Sequence, residues 1–182
     1  LSIRRQRQMC IRDRLDTVTV PFRTVRCGKS EHCQARITEI SDYGVEGIRC
    51  TISTEKGRNP LSIPAPGEHM AYAAAIAAAV GEALGLSREE IARGAASYVP
   101  AGSRMRVLRL SERRMILDDC YNANPQSVAA ALEILARTDC DKRVAVLGDM
   151  GELGAIGNRA HFNMGALAAM LGVDLVFAVG SG

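Results

Sequence analysis

The 182-residue sequence has no tryptophan, and its aromatic content is only 4%. So few flat side chains disfavour a surface that stacks on nucleic-acid bases. Charge of one sign is also scarce. The net charge is +3, and much of the excess lies in the first fourteen residues, so the charge gives no argument for a nucleic-acid partner. The cysteines stand at positions 10, 27, 33, 50, 120 and 140, and none form a Cys-x-x-Cys pair. A structural zinc site is therefore not expected, and the grouping of Cys27, His32 and Cys33 has the wrong spacing for one. Scattered thiols without a secretory signal fit a reducing cytoplasm. Long hydrophobic runs are missing as well. The most apolar stretch, Met70 to Leu86, is shorter than the roughly 20 residues a membrane span needs. It reads as a buried helix, and no membrane partner is expected.

The remainder is 47% hydrophobic, enough for one large domain or two small ones. Residues 1–14 are dense in arginine and have no period, and they read as a leader foreign to the fold. Residues 15–66 alternate in the manner of strands, with candidates at Leu15–Val20, Ala35–Ile40, Gly47–Ser53 and Leu61–Ile63. Tyr43-Gly44 and Lys56-Gly57 supply turns. Gly28-Lys29-Ser30 imitates the tail of a phosphate-binding loop. The glycine that motif requires upstream is absent, because Arg23, Thr24 and Val25 occupy the candidate positions, so the match is a decoy. The Ala-rich helix follows, and Ser87-Arg88-Glu89-Glu90 opens another as a capping box, with Ile91 and Ala95 inward. Tyr98-Val99-Pro100-Ala101-Gly102 breaks that helix and marks a domain boundary near residue 100.

Beyond the boundary, Val107–Leu110 and Arg114–Leu117 read as strands. Asp118-Asp119-Cys120-Tyr121-Asn122-Ala123-Asn124-Pro125 then leads into a helix through Arg137. Asn124 suits the cap and Pro125 the first helical position. Val128, Ala131, Leu132 and Leu135 form its buried face. Two acids beside bare helix N–H groups make a polar rim of the kind where open α/β sheets bind ligands. Arg143–Leu147 reads as a strand covered on both faces. A Gly-rich turn through Gly154 follows it. Next comes a helix over residues 159–171, with Phe162, Ala166, Ala169 and Met170 on one face, and then a buried strand over Val173–Val179. This alternation predicts parallel pairing in an incomplete Rossmann-like α/β domain.

Four runs carry a family resemblance. Asp118 to Pro125 resembles the Asp-Asp-Ser-Tyr-Asn-Ala-Asn-Pro signature of Mur ligases, with Cys120 in place of the usual Ser. Leu147-Gly148-Asp149-Met150-Gly151-Glu152-Leu153-Gly154, with His161 beyond it, resembles that family's Leu-Gly-Asp-Met-x-Glu-Leu-Gly…His element. Gly67-Glu68-His69-Met70 resembles its Gly-x-His-(Asn/Met) element, although Ala73 stands where the family has Asn. Ser103-Arg104-Met105-Arg106 resembles its interdomain Gly-x-Arg element.

The resemblance implies a mainly parallel α/β architecture. Residues 15–100 would close a central, ATP-binding domain, and residues 101–182 would begin the C-terminal domain. It implies His69, Arg104, Asp119 and Asn122 at the ATP, with Asp119 toward the ribose hydroxyls and Arg104 toward the phosphates. Tyr121, Asn124, Asp149, Glu152 and His161 would lie on the substrate side. It further implies ATP and Mg2+ as cofactors and phosphorylation of a carboxylate, followed by attack of an amine. The substrates would be UDP-N-acetylmuramoyl-tripeptide and D-alanyl-D-alanine, and the protein a cytoplasmic monomer. The phosphate-binding loop and magnesium ligands of the family are not found in the sequence, so no catalytic or metal residue is expected here and the chain reads as a fragment. Another Mur-type ligase, a folylpolyglutamate synthase, or a non-catalytic Rossmann-like nucleotide-binding module stay open as alternatives.

Overall fold

The structure is a computed structural model that describes residues 21 and 23–180. The expected strand over residues 15–20 and the leader over 1–14 lie outside the described residues. Alternating apolar side chains build the first sheet, in the order β1 (Cys27–Gly28), β2 (Ala35–Asp42), β3 (Ile48–Thr54) and β4 (Gly57–Ile63). β1 pairs with β2 in parallel and the other pairings are antiparallel. Ile48 opposes Ile63 and Cys50 opposes Leu61, so one face becomes a continuous apolar surface. That face is covered by helix α1 (His69–Ala83), whose Ala71, Ala74, Ala75 and Ala78 are buried among Ile37, Ile48, Ile52 and Leu61. Small side chains let the helix lie close to the sheet. Each fully buried Ile contributes about 1.5–3 kcal/mol.

The Ala-rich helix is buried on one face only, since Ile76 and Val80 on the other are exposed. Strand β4 is longer than expected because Glu55-Lys56 closes a two-residue connection that pairs Thr54 with Gly57. Pro60 is accommodated because β4 is an edge strand, where a missing N–H need not break the ladder. Gly47 ends the link between β2 and β3 at φ 108°, and a Cβ there would lie 2.1 Å from the Ile63 carbonyl oxygen. Helix α2 (Arg88–Ala96) begins with both halves of the Ser87–Glu90 capping box formed, and it buries Ile91.

The second part opens with an antiparallel hairpin, β5 (Arg106–Ser111) and β6 (Arg114–Asp118). Helix α3 (Pro125–Arg137), β7 (Val144–Gly148), α4 (Gly157–Met170) and β8 (Leu175–Val179) follow. β7 and β8 pair in parallel, from Val144 with Leu175 to Gly148 with Val179. The expected alternation therefore yields one parallel pair, while β6 takes its partner from β5. Together the elements make a mixed α/β fold with parallel strand pairs. Leu132, Ala145 and Ala168 form the core here, with Val128, Leu135 and Leu167 against it.

Three sequence expectations are corrected in this part. On α4, Phe162 and Met170 are 72% and 84% exposed, and the packed residues are Ala160, Met164, Leu167 and Ala168. β7 is covered on one face only, because Ala145 is buried while Val146 is exposed. Leu175, Val176, Phe177 and Val179 of β8 are exposed rather than buried. In each case helix or strand periodicity fixes the spacing of the apolar residues but not which face has a neighbour.

Candidate functional site

The end of β6 and the segment before β5 are braced against each other. The Tyr121 N–H donates to the Ser103 carbonyl at 3.0 Å, and the Met105 N–H donates to Asp119 Oδ1 at 2.8 Å. Met105 is buried and adopts φ 50°, a left-handed conformation that is uncommon outside glycine. The Asp119 bond helps to hold it there. Arg104 then lies over the Tyr121 ring, with its Cζ 4.2 Å from the centroid. Such a contact at an exposed position contributes about 0.5–1 kcal/mol. Hydrogen bonds from the Cys120 thiol and the Ser103 hydroxyl hold the Asp118 carboxyl below its usual range. Arg104, Asp119 and Tyr121 are thus brought together, with Asn122 exposed next to them. Ser103 and Met105, which complete this brace, were not singled out in the sequence.

The turn into α3 corrects one expectation. Asn124 Oδ1 accepts from the Gln126 and Ser127 N–H groups, both at 3.0 Å. Ser127 Oγ in turn accepts from the Asn124 N–H at 3.1 Å. The Val128 N–H goes to the Asn124 carbonyl, and Pro125 has no N–H to offer. The helix end is therefore capped by its own residues and does not present bare donors to an anion. The Asn124 side chain offers a ligand its amide NH2, because its oxygen is engaged in the cap.

The Gly-rich turn after β7 sits beside this cap. Met150 and Leu153 point inward and form an apolar cluster with Ala160, against which Ala123, Val128 and Met164 pack. Asp149 and Glu152 stay exposed on either side. The Asp149 carboxylate lies so close to Gly180 that a Cβ there would be 2.4 Å from it. Glu152 adopts φ 64°. His161 lies beneath the turn, with Nε2 2.9 Å from the Met150 nitrogen and Nδ1 2.9 Å from the Gly157 carbonyl oxygen. Through Ala123, Met150 and Leu153, the strand ends of β6 and β7 form one rim that carries Asn122, Asn124, Asp149 and Glu152.

His69 is the first residue of α1 and is exposed. Its ring lies over Gly67, where an added Cβ would be 2.7 Å from the imidazole and 3.1 Å from Ile134 Cδ1 of α3. Lys29 of the decoy loop pairs with Glu68 at 2.9 Å and so steadies the turn before His69 instead of cradling a phosphate. Further contacts join the first sheet to the second part, with Arg137 3.6 Å from Asp42 and Arg109 paired with Glu46. A cleft of about 570 Å³ opens beside them, lined among others by Tyr43, Met115 and Ile134, and it includes none of the candidate residues. Among the described residues no group of three or more His, Cys, Asp or Glu side chains is arranged to hold a metal ion. No helix of the described residues is long and apolar enough to cross a membrane.

Strand ends that carry Asp and Asn side chains, with Arg104 braced beside them, sit on a mixed α/β scaffold with parallel strand pairs, and comparison with known proteins identifies the family. Residues 103–182 match the family model described as Mur ligase, glutamate ligase domain. Over these residues the chain carries a domain of the Mur ligase family. It is 37% identical to the UDP-N-acetylmuramoyl-tripeptide--D-alanyl-D-alanine ligase of Escherichia coli over 74% of its own length and 29% of that protein's. It is 39% identical to the Treponema pallidum protein of the same name over 79% of its length and 30% of the relative's. The crystal structure of MurF from Acinetobacter baumannii superposes with a TM-score of 0.75 at 32% identity, covering 84% of this chain and 33% of that one. The chain thus spans about a third of the length of the relatives it matches.

Proposed function

We propose that this chain is part of an ATP-dependent ligase that joins D-alanyl-D-alanine to UDP-N-acetylmuramoyl-tripeptide in the cytoplasm, for peptidoglycan synthesis. Residues 15–100 would end the central, ATP-binding domain and residues 101–182 would contribute to the C-terminal one. The observation that carries this reading is the shared rim. The Asn122–Asn124 turn and the Asp149–Glu152 turn are packed onto one apolar cluster, and the braced Arg104, Asp119 and Tyr121 stand beside the first of them.

ATP fits the residue types present. A guanidinium on an aromatic face is a strong partner for phosphate, a carboxylate accepts from ribose hydroxyls, and an imidazole and a carboxamide remain for the base. When bound, ATP supplies the phosphoryl group that activates the tripeptide carboxylate, and Mg2+ neutralises charge on the phosphates. Arg104 orients the nucleotide. Tyr121 keeps Arg104 in place, and Asp119 both receives the ribose and fixes the Met105 backbone. Asp149 and Glu152 face the peptide side, where carboxylates orient the ammonium of the incoming dipeptide. The protein works as a monomer and binds neither nucleic acid nor membrane.

Titration of the 15N-labelled full-length enzyme with ADP, followed by amide NMR, tests this reading. Resonances of Arg104, Asp119 and Asn122 are expected to shift with ADP and to stay fixed with NAD. Shifts with NAD instead, or with neither nucleotide, would overturn it. The identity of the amine is tested in the full-length enzyme, where D-alanyl-D-alanine is expected to be incorporated and glutamate is not.

A further inference from the structure

We propose that His161 is a positioning residue that clasps the Asp149–Glu152 turn from beneath in one fixed tautomer, and does not contact substrate through its ring nitrogens. The Met150 backbone N–H can only donate, so Nε2, 2.9 Å away, accepts. The proton of the neutral ring therefore sits on Nδ1, which donates to the Gly157 carbonyl at 2.9 Å. Both ring nitrogens are used within the protein, one on the turn and one on the first residue of α4. A substrate could reach only ring carbons.

The clasp has a clear task. Met150 and Leu153 anchor the turn by burial in the cluster with Ala160, but side-chain burial alone does not fix the backbone between them. Glu152 at φ 64° is in a conformation that costs of order 1 kcal/mol or more for a non-glycine residue unless its surroundings impose it. The His161 bond holds the Met150 amide two residues earlier, and it satisfies a part-buried donor that would otherwise be unpaired. Asp149 and Glu152 flank that fixed amide, so the two exposed carboxylates are presented at a set spacing. What they face rests on the ligase reading above, whereas the clasp itself does not.

Long-range 15N NMR of the imidazole groups in the 182-residue chain, recorded without nucleotide or peptide, is expected to show His161 as the Nδ1–H tautomer. Nε2–H, or a mixture of the two, would overturn the proposal. In His161→Phe the Met150 amide is expected to exchange about tenfold faster, the effect of one lost hydrogen bond, while the Ala168 amide is unchanged. His161→Gln, which keeps an acceptor, is expected to restore part of the protection. Unchanged Met150 exchange in His161→Phe would also overturn the clasp. If that variant fails to fold, the tautomer of the unmodified chain decides. If the clasp is found but peptide leaves the Asp149 and Glu152 resonances unmoved in the full-length enzyme, it is the ligase reading of the turn that fails.

Discussion

Asn124 serves the fold and, in the reading above, the substrate, and substitutions can separate the two roles. Asn124→Ala removes the acceptor of the Gln126 and Ser127 N–H groups, each held at 3.0 Å, and leaves only the half of the box in which the Ser127 hydroxyl meets the backbone of residue 124. Loss of an N-cap of this kind costs about 1 kcal/mol, roughly a fivefold change in the folding equilibrium. With a urea dependence of about 2 kcal/mol per molar, the midpoint should fall by about 0.5 M. Asn124→Asp keeps the oxygen and adds negative charge at the positive end of α3, so its midpoint should match or exceed that of the unmodified chain. Far-UV circular dichroism in urea reads both. If Asn124→Ala leaves the midpoint in place, the cap is not stabilising α3 and the structural account of this turn is wrong. If Asn124→Asp keeps the stability but abolishes ligation in the full-length enzyme, the amide NH2 is the functional half of the side chain.

Two further outcomes follow from the described structure. Burial pushes the Cys50 thiol up to about 11, so it stays protonated and unreactive at pH 8. Iodoacetamide followed by peptide mass spectrometry should modify exposed Cys120 first among the described cysteines and Cys50 last. Early modification of Cys50 would show that the first sheet opens readily. Gly47→Ala would force a Cβ to 2.1 Å from the Ile63 carbonyl at φ 108°, and the chain should lose cooperative thermal unfolding. A melting temperature within a few degrees of the unmodified chain would refute the close approach.

The parts legible in the sequence were those fixed locally. The Ser87–Glu90 and Asn124–Pro125 starts are short-range chemistry, and both helices begin there. The motifs also indicated which strand ends carry the candidate residues. What remained hidden was the choice of neighbour. Ile134 lies off the expected apolar face of α3, yet it is buried, and its Cδ1 would lie 3.1 Å from a Cβ added at Gly67. Phe162 and Met170, expected to share one face of α4 with Ala166 and Ala169, are exposed because α4 packs through Ala160, Met164, Leu167 and Ala168 instead. The resemblance implies His161 on the substrate side, while spacing alone does not reveal its partner, the Met150 amide. The bare donors expected at the start of α3 were absent for a local reason, since the same Asn that marks the helix also satisfies them.

The brace between Ser103–Met105 and Asp119–Tyr121 fixes where the molecule can bend. From Ser103 onward, the connecting segment is tied to the end of β6 by two hydrogen bonds and a stacked guanidinium, and it must travel with the hairpin as one body. Any swing of the second part relative to the first is therefore absorbed upstream, between the end of α2 at Ala96 and Gly102 at φ 59°. In the ligase proposed above, Arg104 would ride with the hairpin, and its approach to a nucleotide would be set by a joint only a few residues away.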